Sequence, residues 1–254
     1  MKFVVLGDPV DHSRSPAIQT AALEACKIEG SYTARRVDEA GMVTAVDEVR
    51  YGRLAGANVT MPHKVIAFEL ADRVTESALR SGAVNTLVRR DGEVWGYNTD
   101  VEGIRAVWEA TPLPGDRPVL ILGTGGAAAG AAVAVGERVI VVSGRREQGA
   151  MDILERTRTR GSIVPWGTAV EGAVVVNATP IGMDAESLPE EVLAPASAFF
   201  DLTYGLVESP SVRYARHLGI PVADGKDLLV AQAAASFEIW TGIPAPVEVM
   251  RTAF

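Results

Sequence analysis

"VLILGTGGAAAG", residues 119–130, runs four apolar residues into a turn with glycines at 123, 125 and 126 and then into alanines. A short apolar run bounded by a turn reads as a strand buried on both faces, and the alanine-rich stretch as a helix. A strand that passes through such a turn into a helix lets backbone N–H groups approach a pyrophosphate, and the helix N-terminus adds favourable partial charge. Ala128 stands where the dinucleotide fingerprint often has a third glycine, an allowed variant. A tight strand-to-helix turn that binds nothing has the same local pattern, so the next strand is the discriminating one.

That strand is "RVIVVSG", residues 138–144. A site that prefers NAD carries an Asp or Glu about 20 residues past the first glycine, for the ribose 2′-hydroxyl, whereas arginine accommodates the 2′-phosphate of NADP. Here Ser143 and Gly144 lead into Arg145 and Arg146, and no acid occurs before Glu147. NADP is therefore the expected cofactor, against the alternative of a solvated surface pair. Further on, "AVVVNATP" (173–180), "AFFDLTYG" (198–205) and "IPVADG" (220–225) continue the strand pattern of a doubly wound α/β domain.

The first hundred residues alternate in the same way: "FVVLG", a helical pattern from Ser15 to Lys27, "YTARRV", a helix near Gly41–Arg50, "LAGANV", and a helix from Pro62 to about Ala71. Strands alternating with helices imply βαβ units and a mainly parallel sheet. Asp91-Gly92 between two strand-like runs reads as a hairpin. "TPLPGDRP", residues 111–118, breaks any regular element. The expectation is an α/β chain of two domains: residues 1–103, to which a long helix and the remainder of 228–254 return, and a Rossmann-like domain over 104–227.

Composition excludes several classes. The 254 residues, 48% hydrophobic with 25 glycines and 14 prolines, suit a globular α/β protein. A formal charge of −8 repels a phosphate backbone, so nucleic acid is not expected. Cys26 is the single cysteine, which rules out an intramolecular disulfide and a multi-cysteine metal site and fits a reducing cytosol. No metal is expected. The apolar runs are short for a membrane span, and "MKFVVLGDPV" lacks a signal-peptide stretch, so a soluble cytoplasmic protein, monomer or homodimer, is the default.

One lysine is oddly placed. Thr60 and Pro62 signal a helix start, which puts Lys64 in the first turn, where the macrodipole disfavours a cation by a few tenths to about 1 kcal/mol. A lysine placed there, in a cleft, can handle a proton. Asp100, at the start of another helix, can pair with it or serve as an N-cap. His12 sits in a turn and can line a site, whereas His63 and His217 fall in patterns that suit structural or surface roles.

"GDPVDHSRSP" (7–16), "NVTMPHK" (58–64), "GAVNT" (82–86), "GYNTD" (96–100), "GTGGAA" (123–128), "NATPIGM" (177–183), "DLTYG" (201–205) and "LLVAQAAASFEIWTG" (228–242) occur in the order seen in shikimate dehydrogenases. The chain resembles that family over nearly its whole length. The resemblance implies NADP-dependent, reversible reduction of 3-dehydroshikimate to shikimate, in aromatic amino acid biosynthesis, with Lys64 and Asp100 as the catalytic pair. It implies that Ser13 and Ser15 bind the substrate carboxylate with Tyr204 nearby, and that Thr60, Asn85 and Gln232 bond the ring hydroxyls. Ser15 before Pro16 also suits an N-cap. Gly123, Thr124, Gly125, Gly126, Ala127, Ser143, Arg145, Arg146, Thr179, Met183, Leu202 and Gly225 would lie along the cofactor. Bland roles stay open for Asn85 (a turn), Gln232 (a polar helix position), Met183 (a gap-filler) and Gly225 (a helix-entry turn).

The chain also departs from the family pattern at Gln19-Thr20, at Ala129 where an arginine is common, at Ser143-Gly144-Arg145 in place of Asn-Arg-Thr, and at Lys226-Asp227-Leu228. Two rival readings are a quinate/shikimate dehydrogenase that prefers NAD, against which the missing acid argues, and a non-catalytic nucleotide-binding regulator, against which Lys64 and Asp100 argue.

Overall fold

In the computed structural model, which describes residues 1–254 apart from Ala185 and Leu206, one unit comprises Met1–Gly103 with Val230–Phe254 and the other Ile104–Leu229. The first unit runs β1 (Lys2–Gly7), α1 (Ser15–Ala25), β2 (Ser31–Arg36), α2 (Glu39–Arg50), β3 (Gly56–Val59), α3 (Lys64–Leu70), β4 (Arg73–Val74), α4 (Glu76–Ser81), β5 (Thr86–Arg90) and β6 (Glu93–Tyr97) into α5 (Thr99–Ala110). Its sheet has the order β2-β1-β3-β5-β6-β4. The strands β2, β1 and β3 are parallel, but β5 is antiparallel to both β3 and β6.

The sheet is parallel in its pairings β1–β2, β1–β3 and β4–β6, as expected, and the expected hairpin makes β5 and β6 antiparallel. A two-residue turn can join only antiparallel strands. Asp91 (φ 50°) and Gly92 (φ 86°) supply the two positive φ angles of the turn type whose twist matches a hairpin. Val4, Leu6, Val59, Leu87 and Val94 then pack beneath Met42, Ala45, Val46 and Val49 of α2, all nearly sealed from solvent.

The second unit continues α5 into β7 (Val119–Leu122), α6 (Gly126–Ala134), β8 (Ile140–Gly144), α7 (Glu147–Thr157), β9 (Gly161–Pro165), β10 (Val174–Asn177), α8 (Glu190–Leu193), β11 (Ala198–Asp201), α9 (Pro210–His217) and β12 (Val222–Ala223). Its sheet is parallel throughout, in the order β12-β11-β10-β7-β8-β9. Taken from the other edge this is the 3-2-1-4-5-6 order of dinucleotide-binding folds, whose direction of winding reverses between β7 and β10. β7, β8, β10 and β11 are buried along their full length, which is why each reads as an unbroken apolar run.

The chain passes back to the first unit within α10 (Gly225–Thr241) and ends with α11 (Val247–Thr252). Trp240 of α10 stacks on Phe3 with ring centroids 4.9 Å apart, and its indole N–H donates to the Leu87 carbonyl at 3.0 Å. The expected return of this helix to the first hundred residues is therefore fixed by an aromatic contact and a backbone hydrogen bond. Among the described residues no helix is long and apolar enough to cross a membrane.

Candidate active site

Topology alone gathers one set of polar residues at one edge of the first sheet. β1 and β3 are parallel, so the segments that leave them, 8–15 and 60–64, start side by side; Thr60 N–H donates to the Leu6 carbonyl at 2.8 Å and Asp8 N–H to the Met61 carbonyl at 3.0 Å. Because β5 runs antiparallel to β3, and β6 to β5, Asn85 before β5 and Asp100 after β6 arrive at the same edge.

The helix carrying the odd lysine begins two residues later than expected. Met61-Pro62 is a cis peptide in a turn closed by His63 N–H to the Thr60 carbonyl at 3.0 Å, so Lys64, not Pro62, opens α3. His63 is buried, with Nε2 2.8 Å from the Val37 carbonyl, the structural role its pattern suggested. Lys64 Nζ donates to Asp100 Oδ2 at 2.7 Å, and the two side chains are 23% and 18% exposed. The carboxylate supplies the counter-charge that the start of a helix denies to an ammonium.

Asp100 is not an N-cap. Asn98 Oδ1 accepts its N–H at 3.2 Å, which leaves the carboxylate to Lys64 and to Asn85 Nδ2, 2.9 Å from Oδ1. Asn85 is in turn held by Thr99, whose N–H and hydroxyl donate to its Oδ1 at 2.7 and 3.1 Å. Behind lies a buried network that sequence reasoning missed: Asn58 Nδ2 bonds the Asn85 carbonyl and Ser236 Oγ, Tyr32 donates to Asn58 Oδ1 at 2.7 Å, and Thr86, Thr99 and Ser236 hydroxyls interlock. The available signal was a lone asparagine in the buried strand "GANV", since a buried amide requires partners. Gln232, 8% exposed on α10, has its Oε1 3.4 Å from Thr99 Oγ1, within reach of the same hydroxyl, and so joins the network.

Ser13 is half-buried and its Oγ accepts Ser15 N–H at 3.3 Å, while Ser15 is buried and is the first residue of α1. The N-cap expectation for Ser15 is corrected: Arg14 occupies the cap position without a side-chain hydrogen bond. Arg14 Nη2 donates instead to the Phe254 carbonyl. Gln19 is buried and donates to the Ala233 carbonyl at 2.9 Å, so this departure from the family pattern is a packing contact between α1 and α10.

In the second unit, Gly123 has φ +116°, and a side chain there would meet the Ala178 carbonyl at 2.7 Å, so only glycine lets the turn pack on the end of β10. Gly125 caps α6 with a β-region backbone and faces open space, and neither it nor Gly126 and Ala127 is buried. A phosphate fits an uncapped helix start of this kind. Arg145 and Arg146 are exposed and form no ion pair or hydrogen bond with the described residues, so both guanidiniums are available to an anion. Ser143, by contrast, is fully buried and donates to the Pro165 carbonyl at 3.1 Å, so its hydroxyl is turned away from solvent.

The remaining cofactor candidates follow β10 and β11. Thr179 Oγ1 donates to Asn177 Oδ1 at 2.7 Å, Met183 is 51% exposed, and Leu202 and Tyr204 are half-buried in the loop after β11. Gly225 opens α10 against the Thr203 backbone, too close for any side chain, which explains this glycine by itself. Asp224, unremarked in the sequence reading, accepts Lys226 and Asp227 N–H groups and caps that helix. Among the described residues no cluster of His, Cys, Asp and Glu could hold a metal ion.

A nucleotide turn at the reversal point of a parallel sheet, with an ion-paired lysine at the start of a helix in the other unit, is the equipment of a nicotinamide-dependent oxidoreductase. The sequence profile described as the shikimate dehydrogenase substrate binding domain matches residues 5–87, and that of the shikimate 5′-dehydrogenase C-terminal domain matches residues 227–253. A shikimate dehydrogenase (NADP(+)) of Desulforamulus reducens is 37% identical, with 97% of this chain and 92% of the relative aligned. One of Archaeoglobus fulgidus is 38% identical over 98% of this chain and 96% of its own length. The crystal structure of the Thermus thermophilus enzyme in complex with NADP(H) and shikimate superposes with a TM-score of 0.90 at 35% identity, covering 100% of this chain and 98% of that one. The chain belongs to the shikimate dehydrogenase family.

Proposed function

We propose that this chain catalyses the reversible NADP-dependent reduction of 3-dehydroshikimate to shikimate, with Lys64 and Asp100 as its catalytic pair. The ion pair at 2.7 Å, on the edge shared with Asn85, Thr60 and the Ser13–Ser15 segment, is the observation that carries the reading. Bound NADPH supplies the hydride. Reduction of a carbonyl leaves its oxygen with a growing negative charge and in need of one proton, and the Lys64 ammonium meets both requirements. Asp100 holds that ammonium in place, and Asn85 holds Asp100. The Ser13 hydroxyl and the N-terminus of α1 take the substrate carboxylate, which the partial positive charge of a helix start favours. Thr60, Asn85 and Gln232 bond the ring hydroxyls.

NADP lies along the second unit. Gly123–Ala127 carries its pyrophosphate, Arg145 and Arg146 its 2′-phosphate, and Thr179, Met183, Leu202 and Gly225 its nicotinamide half. The inward hydroxyl of Ser143 supports a structural role for that residue. The half-buried, unpaired Cys26 supports a cytoplasmic setting.

The test is absorbance at the reduced-nicotinamide band with shikimate or quinate and NADP⁺ or NAD⁺. Activity with shikimate and NADP⁺ that exceeds the other three combinations at least tenfold is expected, since charge-assisted contacts to a phosphate favour the phosphorylated cofactor. Dominant quinate or NAD⁺ activity would move the chain to the broader branch of the family. Inactivity in all four would favour a nucleotide-binding regulator.

A further inference from the structure

Asp201, at the end of β11, is fully buried, and no lysine or arginine among the described residues pairs with it. An ionised carboxylate withdrawn from water is costly unless donors replace the solvent. Four do. Oδ1 accepts from Asn177 Nδ2 at 2.9 Å, Thr203 N–H at 3.0 Å and Thr203 Oγ1 at 2.8 Å; Oδ2 accepts from Ser209 Oγ at 2.8 Å. Burial holds the carboxyl above its ordinary value, against the opposing pull of the four hydrogen bonds.

The donors come from three places: the end of β10, the loop after β11, and the cap of α9, where Ser209 Oγ also accepts Val212 N–H. Asn177 passes the arrangement on. Its amide donates to the Ile181 carbonyl as well as to Asp201, and its Oδ1 accepts both the N–H and the hydroxyl of Thr179, whose Oγ1 accepts Ile181 N–H at 3.2 Å. An ionised carboxylate can only accept. The Thr179 N–H and the Ile181 carbonyl set the Asn177 amide with its oxygen toward Thr179 and its NH₂ toward residue 201, and the carboxylate accepts that NH₂ and ties it to Thr203 and Ser209. A neutral amide at 201 keeps an oxygen for Asn177 and Thr203 but sets an NH₂ against Ser209 Oγ, which donates there, and it lacks the charge that strengthens all four hydrogen bonds. The loop so fixed adjoins the glycine turn, because Gly123 packs on the Ala178 carbonyl at the point where the sheet reverses.

We propose that Asp201 is a positioning residue for the nicotinamide half of the dinucleotide: through Asn177 and Thr203 it holds residues 178–183 and 202–204 in the single arrangement that receives that half. The proposal rests on the dehydrogenase reading above. It distinguishes the two ends of the cofactor, since Asp201 touches no part of the glycine turn or of Arg145 and Arg146 that would hold the adenosine end.

The full-length Asp201→Asn protein is compared with wild type for affinity to NADPH, for affinity to adenosine 2′,5′-bisphosphate, which lacks the nicotinamide, and for kcat and KM with shikimate. NADPH affinity and kcat are each expected to fall about tenfold, as misplacement of a reacting group does, with the bisphosphate and the KM for shikimate within about twofold. Thr203→Val removes one hydroxyl donor and keeps the N–H; it should show the same split at about threefold. It decides the matter if Asp201→Asn does not fold. Equal affinity ratios in wild type and folded variants, even with a lowered thermal midpoint, would overturn the proposal. If wild type binds NADPH but does not oxidise shikimate with NADP⁺, the reaction reading fails, and the two affinities still judge Asp201.

Discussion

Replacing Lys64 leaves the Asp100 carboxylate with Asn85 alone, and replacing Asp100 leaves an ammonium at the positive end of α3 with no counter-charge. Groups that act as one unit lose most of their effect with the first substitution. Lys64→Ala and Asp100→Asn are each expected to lower kcat by about 10²-fold or more, and the double variant by little more than the worse single one. Steady-state rates of the three proteins check this; strict multiplication of the single effects would show that the residues work separately. NADPH affinity, read by quenching of protein fluorescence, should stay unchanged. A second carboxylate in the first unit contributes to stability in acid. The Val94 N–H, 2.8 Å away, foremost holds the Asp72 carboxyl below its usual value against partial burial, with Arg50 at 3.0 Å assisting. Since the folded value is depressed, this contribution is present above the unfolded value near about 4 and is lost as pH falls through the folded one. Thermal midpoints of Asp72→Asn should therefore decline less than those of wild type below about pH 4, with the two curves parallel near neutrality.

Between elements, one close contact lies between the glycine turn and the end of β8. Thr124 packs its methyl against Gly144 and its hydroxyl against Gly149, and a side chain at 144 would overlap that methyl. The glycine at 144, where the family commonly has arginine, is therefore coupled to the threonine at 124. Gly144→Ala is expected to destabilise the protein by about 1–3 kcal/mol, as overpacking does, and Thr124→Gly in the same chain to restore most of it. Urea unfolding of the single and double variants measures the coupling, and additive effects would show that the two positions are independent. This pair also marks how far the sequence can be read. β7, β8, β10 and β11 were legible because strands buried on both faces are continuous apolar runs, and the Asp91-Gly92 hairpin because its turn chemistry is local. β9 was missed because it is an edge strand with exposed ends, of which only Ile163 and Val164 read as apolar, and two-residue β4 is too short for any period. The residues that gather around Lys64 were legible through ordered motifs. The polar groups that hold them, Asn58, Thr86, Thr99 and Ser236, belong to strands and helices far apart in sequence, and no local pattern announces a hydrogen bond between residues 58 and 236.

At the scale of the whole molecule, each unit has a core of its own: Val4, Leu6, Val46 and Leu87 in one, Leu120, Val175, Phe199 and Val212 in the other. The chain joins them through α5 and α10, each of which begins in one unit and ends in the other. Two cores allow two local stabilities, since regions of a protein open in cooperative units that follow its buried contacts. A ligand that binds one unit in its folded form raises the cost of opening that unit by RT ln(1 + [L]/Kd), about 2.7 kcal/mol at a hundredfold excess over Kd. NADP⁺ alone should therefore slow amide exchange about a hundredfold in the second unit, most clearly in β7, α6 and β8, and leave β3 and β5 near their free rates. Shikimate alone should do the reverse, protecting 56–64 and 85–100. Hydrogen exchange followed by mass spectrometry reads both segments in one sample. If either ligand alone protects both cores equally, the molecule opens as one cooperative unit, and α5 and α10 transmit the stabilisation from end to end. If protection stays in the unit that binds, the division between substrate and cofactor residues is also a division in folding energy.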